Sequence, residues 1–187
     1  MLTLSLAQLS FVIADLSGNV TRMAAAARRA AADGSQIVVF TELSLTGYPP
    51  GDLLDDRDFL ARVDAALMKV CDASRVTPNL YWVIGTPTRR KGPGKTLENS
   101  LLVLRNGQIL LQYAKQLLPD CNTFNERCYF EPGPDSAACL EINGTRVGFL
   151  IGEDIWNDEG KDASLSPLDR LAASSPDLIV VIDANPS

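Results

Sequence analysis

Histidine is absent from all 187 residues. That absence removes Ser-His-Asp and Cys-His catalysis, histidine-bearing zinc sites and histidine general bases together. Acid–base chemistry here falls to carboxylates, lysine, tyrosine or thiols. Cysteine is sparse: Cys71, Cys121, Cys128 and Cys139 show neither zinc-ribbon spacing nor a short-domain disulfide framework. A reduced, cytoplasmic setting without a metal site is therefore expected. No apolar run approaches the roughly 20 residues of a membrane span, and Met1 to Ser10 lacks a basic start and a signal-peptide cleavage pattern. No membrane partner is expected, and the sequons at Asn19 and Asn143 carry little weight. Positive charge is also in deficit: 17 Lys and Arg against 23 Asp and Glu give a net charge of -6, which argues against nucleic acid as a partner.

What is present is globular material, 46% hydrophobic and 21% charged, in a length that suits one domain with a substantial core. Leu2 to Leu9 alternates like a strand. Ser17-Gly18-Asn19 offers cap residues before an Ala-rich helix that ends near Asp33-Gly34. Ile37 to Phe40 is a short apolar run, as in a strand buried on both faces. After a long loop, Phe59, Leu60, Val63, Leu67 and Val70 share one face of a second helix. Tyr81 to Gly85 reads as the next strand. Asn106-Gly107 and Asn143-Gly144 each sit between apolar runs and predict two hairpins. Ser166-Pro167-Leu168-Asp169 is a helix start, and Leu178 to Ile182 is a last strand. This order predicts a layered α/β fold with a mixed sheet. The chain stops just after a strand, so a domain spanning 1–187 with its C-terminal part missing is expected.

Three places invite a chemical reading. Glu42 follows the apolar Val39-Phe40, at the sheet edge where α/β sites form; a buried carboxylate there needs partners, although a loop carboxylate capping a turn would look the same. Lys115, beyond Tyr113-Ala114, and Glu126 are by themselves compatible with solvated charges. Val147 to Ile151 runs straight into Gly152-Glu153-Asp154-Ile155-Trp156. Sharp strand-to-loop turns often present nucleophiles, but Gly152 has no side chain to offer. Gly94-Lys95-Thr96 does not make a phosphate loop, because Arg89 stands where the first glycine belongs and a strand follows.

Taken together, Phe40-Thr41-Glu42-Leu43, Tyr113-Ala114-Lys115-Gln116 and Leu150-Ile151-Gly152-Glu153-Asp154-Ile155-Trp156 resemble the signature of the carbon-nitrogen hydrolase (nitrilase) superfamily. Further segments resemble the glutaminase domain of glutamine-dependent NAD synthetases: Leu45-Thr46-Gly47-Tyr48-Pro49-Pro50, then Asp52-Leu53-Leu54, and Lys115 to Pro119 followed by Phe124, Glu126, Tyr129 and Phe130. The resemblance implies an αββα sandwich and a Glu-Lys-Cys triad. It makes Glu42 the general base, Lys115 the oxyanion stabiliser and Glu126 an accessory glutamate. Glu153 and Phe124 would line a pocket for glutamine or a similar small amide. It also implies self-association into a homo-oligomer, an ATP-binding synthetase domain downstream or in trans, and no cofactor in this domain.

The departures matter as much. Gly152 occupies the cysteine position, Cys121 stands where the family usually has tyrosine, and Asn185 where it usually has serine. The resemblance thus predicts a glutamine amidohydrolase domain, inactive for want of a nucleophile. The alternative is a degenerate scaffold or oligomerisation module with no amidase role; an unrelated α/β binding domain would require a chance match of all the segments.

Overall fold

The computed structural model describes residues 2–119, 125–156 and 166–184. Its first sheet is built in chain order from β1 (Leu4–Leu6), β2 (Ile37–Val39), β3 (Tyr81–Arg89), β4 (Leu97–Arg105) and β5 (Gln108–Ala114). The first three strands are parallel and the last two pairings are antiparallel. A second sheet has β6 (Cys139–Ile142) antiparallel to β7 (Thr145–Ile151), which is parallel to β8 (Leu178–Ile182). Helices α1 (Leu16–Ala32) and α2 (Arg57–Ser74) cover the first sheet, and α3 (Pro167–Ala173) packs on the second.

Period-two alternation sorts the core into layers. Val38, Trp82, Ile84, Leu102 and Leu104 meet Met23 and Ala27 of α1 and Phe59, Val63 and Val70 of α2. Val39, Val83, Leu101 and Val103 point the other way, into Val147, Phe149 and Ile151 of the second sheet. Gly148 lies on the opposite face of β7, where a Cβ would meet the Leu171 side chain of α3 at 2.9 Å. The layer order is helix, sheet, sheet, helix, and both sheets are mixed.

Several local expectations hold. Asn106 and Gly107 have φ of 49° and 82°, and Asn143 and Gly144 have 51° and 77°, the paired positive values that a tight hairpin needs. Ser166 caps α3 in a capping box with Asp169, and Pro167 follows at the first helical position. Others need correction. Strand β1 is only three residues long, shorter than the alternation of Leu2 to Leu9 suggests. Asp15, not the Ser17-Gly18-Asn19 group, caps α1, accepting from the Gly18 N–H at 3.0 Å. Asn19 is instead fully buried, bonding Val12 N–H and the carbonyls of Val12 and Leu45. It ties the approach to α1 onto the turn that carries Glu42.

The fold places the site by direction. β4 and β5 reverse the chain twice, so β5 runs the same way as β2 and β3. The residues after β2 and β5 and the early part of β4 therefore lie at one sheet edge, and the end of β7 meets them from the second sheet.

Candidate active site

Apart from Glu126, each site residue sits just past a strand or within one. Glu42 follows β2 in a tight turn whose next residue, the fully buried Leu43, has φ of 49°, a strained value for leucine. That turn is fastened to β3: Leu45 N–H donates to the Gly85 carbonyl at 3.1 Å, and Gly85 N–H donates to Ser44 Oγ at 3.3 Å. A Cβ at Gly85 would lie 2.3 Å from Leu43 N and 2.8 Å from Glu42 Cα, so only glycine lets the turn lie this close. Lys115 extends β5 by one more ladder bond, N–H to the Asn99 carbonyl at 2.8 Å. Glu126 opens a 3-10 turn, Glu126–Cys128, and Gly152 and Glu153 open another, Gly152–Ile155, directly after β7.

The side chains converge on the Lys115 ammonium. Nζ donates to Glu42 Oε1 at 2.9 Å and to Glu126 Oε1 at 2.6 Å, and forms an ion pair with Glu153 Oε2 at 2.6 Å. Glu42, Lys115 and Glu126 are almost wholly buried, whereas the Glu153 side chain is 40% exposed. Asn99, in β4, binds the first two carboxylates together: its Nδ2 donates to Glu42 Oε1 at 2.7 Å and Glu126 Oε2 at 3.0 Å.

Three carboxylates on one ammonium leave an excess of negative charge. Burial pushes the Glu42 carboxyl up to about 7, with Glu126 pushing the same way, against the downward pull of Lys115. For Lys115, burial alone would lower the ammonium's pKa; Glu42 and Glu126 reverse this, and the net shift is upward. Glu42 is therefore poised to exchange a proton near neutrality while Lys115 stays charged.

Gly152 faces this pair. With φ of 47°, its ideal Cβ would lie 3.1 Å from Lys115 Nζ and 3.5 Å from Glu42 Oε2. A side chain here would therefore touch both charged groups. Beside Glu42 opens a surface cavity of about 330 Å³, lined in part by Thr41, Leu43, Tyr48, Pro49 and Ala184. Burial, reinforced by the Glu42 charge, pushes the Tyr48 hydroxyl up to about 12, so Tyr48 is a neutral hydrogen-bonding group.

The sequence-predicted Glu42, Lys115, Glu126, Gly152 and Glu153 thus share one site, while Phe124, Cys121 and Asn185 lie outside the described residues. Asn99, Gly85 and Asp154 were not singled out. A polar Asn99 beside the buried Leu97 and Leu101 was the available signal, but it needed the β3–β4 pairing to be interpreted. Among the described residues, no group of three or more Cys, Asp or Glu side chains is placed to hold a metal ion, and no helix is long and apolar enough to cross a membrane.

The described residues thus form an α/β sandwich with a buried Glu–Lys–Glu cluster between its two sheets. Residues 3–165 match the carbon-nitrogen hydrolase family, and the chain belongs to that family. The glutamine-dependent NAD(+) synthetase of Xylella fastidiosa (strain Temecula1) is 34% identical over 187 residues, covering 99% of this chain and 32% of the relative. That of Aquifex aeolicus is 34% identical over 186 residues, covering 100% of this chain and 30% of the relative. In three dimensions, glutamine-dependent NAD+ synthetase from Acinetobacter baumannii, solved with ADP, superposes with a TM-score of 0.87 at 27% identity, over 100% of this chain and 33% of that one. A Nesterenkonia amidase of the nitrilase superfamily superposes with a TM-score of 0.84 at 23% identity, over 100% of this chain and 66% of that one, a likeness of fold. The chain spans about a third of the length of the synthetases it matches.

Proposed function

We propose that this chain is the glutaminase-type domain of a glutamine-dependent NAD synthetase that keeps its acid–base and electrostatic groups and has lost its nucleophile. Glu42 is the general base, Lys115 the partner of a developing oxyanion, Glu126 the accessory glutamate that holds Lys115, and Glu153, with Phe124, part of the pocket for glutamine or a similar small amide. An ATP-binding synthetase domain, in the same polypeptide or in trans, self-association and a cytoplasmic location belong to the same proposal.

One observation carries it: the position of Gly152, whose missing Cβ would stand against both Lys115 Nζ and Glu42 Oε2. A cysteine at that point would meet a base that accepts its proton near pH 7 and a fixed positive charge. With glycine there, no thioester forms, a loss on the order of 10⁶ in rate.

Ammonia release from glutamine by the chain, beside its Gly152→Cys version, tests the proposal. Background from the first and turnover from the second are expected. The cysteine takes on a left-handed backbone costing about 1–2 kcal/mol, and Lys115 must give by a few tenths of an ångström, so the gain is expected to fall short of a full active site. Robust turnover by the unaltered chain would overturn the assignment of the nucleophile position. Silence from both versions would favour the scaffold reading, which the glycine itself supports.

A further inference from the structure

The site draws its groups from two different sheets. Glu42, Asn99 and Lys115 are carried by β2, β4 and β5 of the first; Gly152 and Glu153 are carried by β7 of the second. Apolar packing between sheets resists separation but is weakly directional, and a site of this kind tolerates little misplacement. Something must fix the ends of β5 and β7 against each other.

Asp154 stands at that junction. It belongs to the turn that carries Gly152 and Glu153, and its side chain is fully buried. Its carboxylate accepts from Tyr113 Oη at 2.7 Å, from Leu117 N–H at 2.7 Å, and from Gln116 N–H at 3.1 and 3.2 Å. These donors straddle Lys115, with Tyr113 two residues before it and Gln116 and Leu117 directly after. The far side of Gln116 is held too: its Nε2 donates to the Ser136 carbonyl at 2.8 Å, and Arg170 of α3 donates to its Oε1. The Lys115 carbonyl accepts from Gly133 N–H at 2.8 Å. No apolar residue of similar size could replace Asp154 without leaving the buried Gln116 N–H, the half-buried Leu117 N–H and the Tyr113 hydroxyl without their acceptor.

We propose that Asp154 is a positioning residue, a buried strut that sets Lys115 Nζ at its distance from Gly152 by clamping the chain on both sides of the lysine. It touches neither the reacting groups nor the cavity beside Glu42. The geometric part stands by itself; the consequence for amide cleavage rests on the function proposed above. Burial raises the Asp154 carboxyl, opposed by Leu117 N–H, the Tyr113 hydroxyl and Gln116 N–H, and burial likewise raises Tyr113, with Asp154 reinforcing it. The Tyr113 hydroxyl therefore keeps its proton and remains a donor across the neutral range.

The test reads Lys115 itself. In the unaltered chain, the Lys115 ammonium, buried and bonded to two carboxylates, is expected to give a slowly exchanging side-chain nitrogen signal by NMR. Asp154→Ala is expected to speed its hydrogen exchange at least tenfold while the backbone amide spectrum stays folded, and Tyr113→Phe to have a smaller effect in the same direction. Asp154→Asn, which retains an acceptor for Gln116 and Leu117, is expected to recover most of the protection. Should Asp154→Ala not fold, Tyr113→Phe and Asp154→Asn carry the same comparison. An unchanged Lys115 signal in a folded Asp154→Ala or Tyr113→Phe chain would overturn the strut. In the Gly152→Cys chain, adding Asp154→Ala is expected to lower kcat about a hundredfold with KM within about threefold, the order expected for slight misplacement. If Gly152→Cys is silent while the Lys115 signal still depends on Asp154, the strut stands and only the amidase reading fails.

Discussion

Replacing Lys115 with methionine is expected to destabilise the chain by about 3–5 kcal/mol near pH 8, and by distinctly less near pH 5. The ammonium is the shared partner of Glu42, Glu126 and Glu153, and two of those carboxylates are almost wholly buried. Because the lysine is shifted upward, its contribution is fully present at every pH below the ordinary lysine range. It is lost only as pH rises through the elevated folded value, so the lysine term is constant between about pH 5 and 8. The pH dependence of the loss comes from Glu42, whose carboxyl is already raised to about 7 against the downward pull of Lys115 and moves further up without it. Near pH 5 that carboxyl holds its proton with or without the cation; near pH 8 the variant must either keep it charged in a dry site or take up a proton that the unfolded chain does not hold, and both cost stability. Thermal unfolding at the two pH values measures this; at roughly 2–4 °C per kcal/mol for a chain of this size, the drop near pH 8 is about 10 °C. An equal loss at both pH values would show that Lys115 is not holding buried charge.

Glu42→Gln in the Gly152→Cys chain is expected to reduce glutamine hydrolysis by about 10²–10⁴-fold, the range for a removed general base. Before that change, kcat is expected to rise with pH to a midpoint near 7, where the Glu42 carboxyl loses its proton, and then level off; the glutamine variant loses this step. Stability moves the opposite way. Between the ordinary value of 4.5 and about 7 the folded chain holds a proton on Glu42 that the unfolded chain has released, so Glu42 makes stability fall as pH climbs through that window, with its penalty complete above it. Glu42→Gln removes that slope. Denaturant unfolding across the window measures it, and an unaltered slope would place the neutral titration on another group.

Much of this was readable beforehand, for physical reasons. The two Asn-Gly turns, the Ser166 cap with Pro167 and the apolar β2 are local signals that need no tertiary partner. Strand β3 was harder. Gly85 and Pro87 look like its end, yet it continues to Arg89 paired with β4. Proline is accepted there because the pairing with β2 has already ended at Val83, so one side of the strand has no ladder at Pro87. Gly85 is required by the crossing Glu42 turn, a contact between segments some forty residues apart in sequence. Taken one at a time, Lys115 and Glu126 look like solvated charges and Glu42 is as compatible with a loop carboxylate capping a turn as with a site residue. Only the doubled reversal through β4 and β5 puts them at one edge, and the resemblance of the segments supplied that grouping in advance. Asn99 and Asp154 act by spanning elements, and no local pattern marks such residues.

The position of the missing nucleophile is tested most directly by acid-quenching the Gly152→Cys chain during reaction with glutamine and mapping the covalent adduct by peptide mass spectrometry. The account predicts a γ-glutamyl thioester on the peptide containing position 152, absent from the unaltered chain and accumulating less in a Lys115→Met background. An adduct on Cys121 or Cys128, or one formed equally by the unaltered chain, would contradict it.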